Sequence, residues 1–473
     1  MIVKILVAIA NYGDSNTSYV QTLIDTYRGF SRYQVDIVIL SNVDKNFGTS
    51  IEVAVGLPTS NPWSLPFAHR QIFADRQDDY DVFIYSEDDT HILETHVENY
   101  LGAEAVLPPD HVAGFMRHEI DASGAWHYST VHATYHWDPS SVLLAGGEVF
   151  ANFTNEHSAA YILSRDKLKR CIASGGFLVQ PHSGRYDMLC SAATDPYTRC
   201  GLKKVINVSR LSDFSLHHLP NKYIGRIGLP KVEMDLQIEK LLTIPKNDHL
   251  RTSLIDGTVK SDHSSRYDRS YFTPAFASVA RAMPNRRCRV LSVGCDMGKT
   301  EAALVAQGHE VDAIPLDHVI AESAKSRDIM ILDAALSDPI SAFQPGRYDV
   351  LLMNLCLPYM SSPIDMLRSF SPALSRDGQL LVAFWNWSAE SEKRKRREEK
   401  KKFGPLTVGE YAESGIHRTD PQIVRDWLKQ AGYGAFSTYF DVPEKHRLLS
   451  NLCLKLMDSR IAVTGTVRAT AVQ

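Results

Sequence analysis

The sequence has no CxxC pair, and its seven cysteines, at positions 171, 190, 200, 288, 295, 356 and 453, are odd in number and scattered. Neither a disulfide framework nor a zinc site of familiar spacing is indicated. No run approaches the ~20 apolar residues that a membrane-spanning helix requires. Positive charge is not in excess, since 51 Lys and Arg stand against 55 Asp and Glu for a formal net charge of -4. That balance argues against a general nucleic-acid binder, whose phosphate contacts need a basic face. It leaves room for small phosphorylated ligands, which need only local positive groups. The opening MIVKILVAIA is interrupted by Lys4 and followed at once by Asn11, Gly13 and Asp14. It is too short for a signal segment and reads as a first β-strand of a cytoplasmic protein.

What is present is length and alternation. A chain of 473 residues is expected to form two or three domains. Strand-like Ile2–Ile9, helix-like Ser18–Arg28, strand-like Val35–Leu40, helix-like Pro66–Asp75 and the apolar run Tyr80–Ser86 follow one another. Such alternation predicts a mostly parallel sheet with helices on its faces. Ligands bind beyond the carboxyl ends of strands in such sheets, which singles out Asn11–Asp14 and Glu87–Asp89. Regularity lapses around residues 245–270, and a second series follows with strands expected at Arg289–Val293, Glu310–Ile314, Ile329–Leu332, Asp349–Asn354 and Gln379–Trp385. The expected organisation is α/β throughout, in two Rossmann-like domains at 1–245 and 266–473 joined by a linker at 246–265. The charge run Lys393–Lys402 reads as a solvated helix with acid–base spacing, or as a basic patch for peripheral association with anionic lipid.

Glu87, Asp88 and Asp89 stand directly after the strand DVFIY. Three adjacent carboxylates repel one another, and a buried strand end carrying them calls for a compensating cation. Mn²⁺ or Mg²⁺, hard and oxygen-seeking, suits them. A cation there would neutralise the leaving diphosphate of a nucleotide-sugar during sugar transfer. An acid-rich solvated turn is the competing reading.

The run HRQIFADRQDDYDVFIYSEDDTHI resembles the helix–strand–DXD segment of GT-A-type glycosyltransferases, with EDD as a variant motif, and IANYG resembles their donor-base loop. The resemblance covers about residues 1–230. It implies a nucleotide-sugar donor contacted by Asn11, Tyr12 and Asp88, and a metal held by Glu87, Asp89 and His217 or His218 of DFSLHHLPNKY. It also implies transfer to a carbohydrate or other hydroxyl acceptor. GRYDMLCSAATDPYTRCGLKKV resembles the segment that carries an acid at a helix start, making Asp187 the general base, unless it is merely a helix cap. Glu156 in NFTNEHS is the rival for that role. Gly146 and Gly147 in LLAGGEVF would line the donor sugar, or form a plain turn.

Further along, RVLSVGCDMGKTEAALVAQGHEV resembles the first strand, glycine turn and helix of class I SAM-dependent methyltransferases, with Gly294 and Gly298 as the outer glycines. HRTDPQIVRDWLKQAGY resembles the entry to their C-terminal helix. GKT does not complete a Walker loop, because Val293 stands where its first glycine belongs. The resemblance implies SAM contacts from Asp317 to the ribose and from Asp333 to the adenine. Asp296 replaces a glycine and Pro315 an acid. The expectation is therefore weakened SAM binding and a domain that chiefly supports the transferase.

Overall fold

The computed structural model describes residues 2–129, 135–225, 228–255, 271, 273–332, 336, 338–403, 411, 415–442 and 458–471. The chain divides into two compact units, Met1–Pro245 and Lys246–Gln473. No helix among the described residues is long and apolar enough to cross a membrane.

In the first unit, β1 (Val3–Asn11), β2 (Tyr33–Ser41), β3 (Glu52–Val55) and β4 (Val82–Glu87) run parallel. The sheet order ends in an antiparallel edge strand, Ala160–Ser164, beside β4. From Ile5 to Ile9 every β1 side chain is fully buried, as a strand covered on both faces demands, and this explains its unbroken apolar sequence. The register pairs Ala10 with Glu87, so the chain leaves β1 and β4 side by side. Asn11 and Asp88 therefore meet.

A second sheet of this unit contains β5 (Thr90–His91), β6 (Met116–Ile120), β7 (Trp126–Ser129) and β8 (Ser215–His218). Alternation splits it into two chemistries. Arg117, Glu119 and His218 share one face, while His91, His118 and His217 form a single rung on the other, by the registers His217–His91 and His217–His118. The remaining sheet includes the hairpin of β9 (Trp137–Ala145) and β10 (Glu148–Phe153).

The expected helix over 66–75 is split into a 3₁₀ turn, Pro62–Ala68, and an α-helix, His69–Asp75. Its Arg70 is buried and pairs with Asp195 at 2.7 Å, while also donating to the carbonyls of Phe177, Ser191 and Ala192.

The second unit is one seven-stranded sheet. Its strands are β11 (Arg289–Cys295), β12 (Glu310–Pro315), β13 (Met330–Ile331), β14 (Tyr348–Asn354), β15 (Leu374–Trp385), β16 (Tyr433–Phe440) and β17 (Thr464–Ala471). The spatial order is β13-β12-β11-β14-β15-β17-β16, parallel except for β17. The order reverses between β11 and β14, the switch point where such sheets bind ligands. Part of the expected linker is not a linker. Leu250 and Leu254 are buried, and Leu254 N donates to Leu316 O at 2.7 Å. Apolar burial holds 250–254 on the second unit. The charge run lies in the helix Glu390–Phe403, with Lys393–Glu390 and Lys395–Glu392 pairs along it.

Breaking the buried ion pair tests this packing. Asp195→Ala is expected to destabilise the first unit by about 3–5 kcal/mol, because the guanidinium stays buried without its counter-ion. Denaturant-dependent hydrogen exchange of the helix Met188–Thr198 reads that loss. Unchanged protection would show that the carbonyls alone satisfy Arg70.

Candidate functional site

Asp88 sits at the mouth of the parallel sheet with both carboxylate oxygens engaged. Asn11 Nδ2 donates to one at 2.6 Å and Asn16 Nδ2 to the other at 2.8 Å. Lys45 Nζ donates to Asn11 Oδ1 and to Gly13 O, so the loop after β1 is tied to a cation. Tyr12, between Asn11 and Gly13 in the chain, is half exposed. Asn16 and Lys45 were not singled out from the sequence. Nothing marks them until the sheet brings them to Asp88.

Asp89 and Glu87 turn the other way. Asp89 Oδ2 lies 3.2 Å from His218 Nε2, and His218 Nδ1 lies 2.5 Å from Glu119 Oε1. A carboxylate behind an imidazole fixes its orientation, the arrangement that supports metal-binding histidines. Asp89 Oδ1 is buried with no hydrogen-bond partner among the described residues. Burial pushes the Asp89 carboxyl up, but His218 and Arg117 pull it below its ordinary range. At Glu87 burial and the charge of Asp89 raise the carboxyl to about 7. Asp88 is raised to about 6 by burial against its two amide bonds. His157 Nε2 approaches Glu87 Oε1 at 3.3 Å, and burial and Arg117 hold that imidazole down at about 3.

An orphaned acid oxygen, a suppressed carboxylate and an oriented imidazole meet at this strand end. Among the described residues, no three His, Cys, Asp or Glu side chains form a metal-holding group by themselves. His217 is not in this cluster. Strand alternation puts it on the opposite face, where its Nε2 meets Asn221 Oδ1 at 3.1 Å and its ring stacks on His118.

Asp187 caps the helix Met188–Thr198 by accepting from Cys190 N at 2.9 Å. Its charge still acts on Glu87 and His157, so it belongs to the same cluster with one oxygen committed. Glu156 is partly buried, its N–H donating to Tyr186 OH at 2.9 Å. Its Oε1 accepts from Asn152 Nδ2 at 3.3 Å and its Oε2 has no partner among the described residues. Burial raises its carboxyl against the charges of Lys204 and Arg185, and burial lowers the Lys204 ammonium to about 8. Gly146 and Gly147 are misplaced by the sugar-loop reading. They form the two-residue turn of the β9–β10 hairpin, both with positive φ (58° and 82°), as tight hairpins require. That turn is at the far end of β10 from Glu156, roughly 20 Å along a strand.

In the second unit the turn after β11 is closely packed. Gly294 (φ 90°) would place a Cβ 2.6 Å from that of Cys356, and Gly298 (φ 77°) one at 2.4 Å from Ile329 Cδ1. The helix Lys299–Ala306 opens from Gly298, presenting backbone N–H groups at the switch point. Asp296, which stands in place of a glycine, is buried. Its carboxylate accepts from Thr273 N at 2.7 Å, from Thr273 Oγ1, and from Gly298 N at 3.2 Å. Burial and Glu301 raise it to about 6.

Asp317 is not available as a ribose clamp. One oxygen accepts from Val319 N and Ile320 N, and the other from Tyr271 OH at 2.6 Å. Asp333 lies outside the described residues. Glu301, missed in the sequence, is fully buried and accepts from Ser292 Oγ at 2.6 Å and Asn354 Nδ2 at 2.8 Å. Leu355 follows with φ 60°, a strained conformation for a leucine at the end of β14. Tested against SAM, the glycine turn and helix start fit the cofactor's methionine end. The end of β12, with Pro315 and a committed Asp317, lacks the acid that would hold its ribose.

Residues 267–437 match a family described as a methyltransferase domain. The match does not extend to residues 1–245. A putative S-adenosylmethionine-dependent methyltransferase from Listeria monocytogenes is 18% identical, over 41% of this chain and 96% of its own, with a TM-score of 0.31. A SAM-dependent methyltransferase from Thermotoga maritima, described as a possible histamine N-methyltransferase, is 15% identical over 41% and 86%, with a TM-score of 0.30. A search of curated proteins gives no match.

The raised carboxyl of Glu87 makes a pH prediction. Its folded value, about 7, exceeds its ordinary value of 4.5, so the native state keeps a proton there that the unfolded chain releases. Stability of the first unit is expected to fall as pH rises from about 4.5 to 7. In metal-free buffer, Glu87→Gln should flatten that loss, read as hydrogen exchange of β1 and β4 at pH 5 and pH 8. Equal losses in parent and variant would remove Glu87 from the buried cluster.

Proposed function

We propose that this chain is a SAM-dependent methyltransferase whose N-terminal unit handles a sugar-bearing substrate. The observation that carries the reading is the strand–glycine turn–helix at Arg289–Ala306, inside the region matched to the methyltransferase family. SAM supplies an electrophilic methyl group on a sulfonium centre. The chain's part is to seat the methionine end at Gly294–Gly298, at the N-terminus of a helix. Asp296 is held by Thr273 and by the Gly298 amide of this same turn. The missing ribose acid costs one charged hydrogen bond, roughly ten- to a hundredfold in affinity, which weakens binding without abolishing it.

A second reading adds sugar transfer. It rests on the orphaned Asp89 Oδ1 beside the Glu119-oriented His218. Glu87, Asp89 and His218 would hold Mn²⁺ or Mg²⁺ against the diphosphate of a nucleotide-sugar, with Asn11, Tyr12 and Asp88 at the nucleoside. Asp187 or Glu156 would take the acceptor proton. The combined protein would be a bifunctional enzyme that methylates the glycan it extends.

Calorimetry of the intact chain with SAM and its demethylated product decides the first reading. Micromolar binding of either is expected, and no heat at millimolar ligand would sink it. For the second, Mn²⁺ with a nucleoside diphosphate should raise the melting temperature of the parent. Asp89→Ala should lose that shift and at least ~10²-fold of any transfer rate. A variant that keeps both would make the acidic strand end a structural turn.

A further inference from the structure

A cavity of about 560 Å³ lies against β5, β6, β7 and β8. It is on the face opposite Glu119 and His218, so the sheet itself separates it from the acidic cluster. Three imidazoles line it at one rung, His91, His217 and His118. Trp126 extends the row, its ring 3.9 Å from His118 and within 8° of parallel, while His118 and His217 stack at 5.3 Å and 16°. Stacked rings set their nitrogens side by side rather than converging on a point, which does not suit a metal ion. Consistent with this, no metal-holding trio occurs among the described residues.

The lining contains no lysine or arginine. Its two acids are already paired at the rim, Glu98 with Arg32 at 2.7 Å and Asp213 with Arg210 at 3.4 Å. A phosphate, sulfate or carboxylate would find no cation here. What the cavity does offer is a dense set of donors and acceptors, including Asn99, Ser212 and the imidazoles. Burial holds His96 at about 4, so that ring is uncharged at neutral pH. His118 is 4% exposed and its Nδ1 has no partner among the described residues.

We propose that this cavity binds a neutral saccharide of one or two rings. The volume is in the range of small-molecule pockets. An indole beside flat imidazoles suits the apolar C–H face of a pyranose, and the surrounding amide, hydroxyl and carboxylate groups suit its hydroxyls. The site needs no cation and no nucleotide, and it stands whether or not the acidic cluster transfers sugar.

The test is a neutral-glycan array probed with the intact chain in EDTA, followed by calorimetry of the best disaccharide. Glucose 6-phosphate and glucuronate serve as charged controls. A neutral glycan should bind without metal and without competition from nucleoside diphosphate. Trp126→Ala should weaken it at least about tenfold, as loss of a central aromatic does. Ser212→Tyr, at an exposed lining position, should plug the cavity while leaving the melting temperature unchanged, which guards against a misfolded Trp126 variant. The proposal is overturned if no neutral glycan binds or if the charged controls bind more tightly. It is equally overturned if nucleotide displaces the glycan, or if Ser212→Tyr leaves its affinity intact.

Discussion

The grip of Asn11 and Asn16 on the Asp88 carboxylate is the contact on which the first unit's chemistry depends. A buried carboxylate is tolerated only when its lone pairs are filled, and here two amides from the β1 end fill them. That contact locks the end of β4 against the loop after β1. It also directs Asp88, in the turn that follows β4, away from the neighbouring acids. With Asp88 turned toward Asn11, Glu87 and Asp89 face Arg117, His157 and His218. The three acids of one motif thus serve two purposes, one holding the sheet mouth together and two facing away from it.

The second unit solves a similar problem differently. At its switch point two buried acids, Asp296 and Glu301, stand near each other and are held from within, although Glu301 Oε2 has no partner among the described residues. Thr273 and the Gly298 amide hold Asp296, and Ser292 and Asn354 hold Glu301. Residue 273 precedes β11 in sequence yet lies over its end. A polar residue where the fold normally has glycine therefore becomes a tie between strand end and preceding segment.

Burying Arg70 with Asp195 illustrates the same economy in the packing between helices. The guanidinium meets one carboxylate and three carbonyls through its two terminal nitrogens, while Nε has no acceptor among the described residues. Such pairs add little net stability but make the arrangement costly to alter.

Periodicity alone was enough for the alternation of strand and helix, because β1 and β4 are buried on both faces and read as unbroken apolar runs. The EDD position at a strand end and the glycine turn at Gly294–Gly298 were equally legible, since both depend on residues adjacent in the chain. Which of His217 and His218 meets the acids was not, because it depends on the face that β8 turns toward β5 and β6. The hairpin role of Gly146 and Gly147 depends on the pairing of β9 with β10, and the inward turn of Asp296 depends on Thr273, twenty-three residues away. The row of His91, His118, His217 and Trp126 joins four strands whose registers no local pattern encodes. Sequence determined what each strand could bury. Only the tertiary structure decided which polar groups would meet, because those meetings are fixed by register between segments distant in the chain.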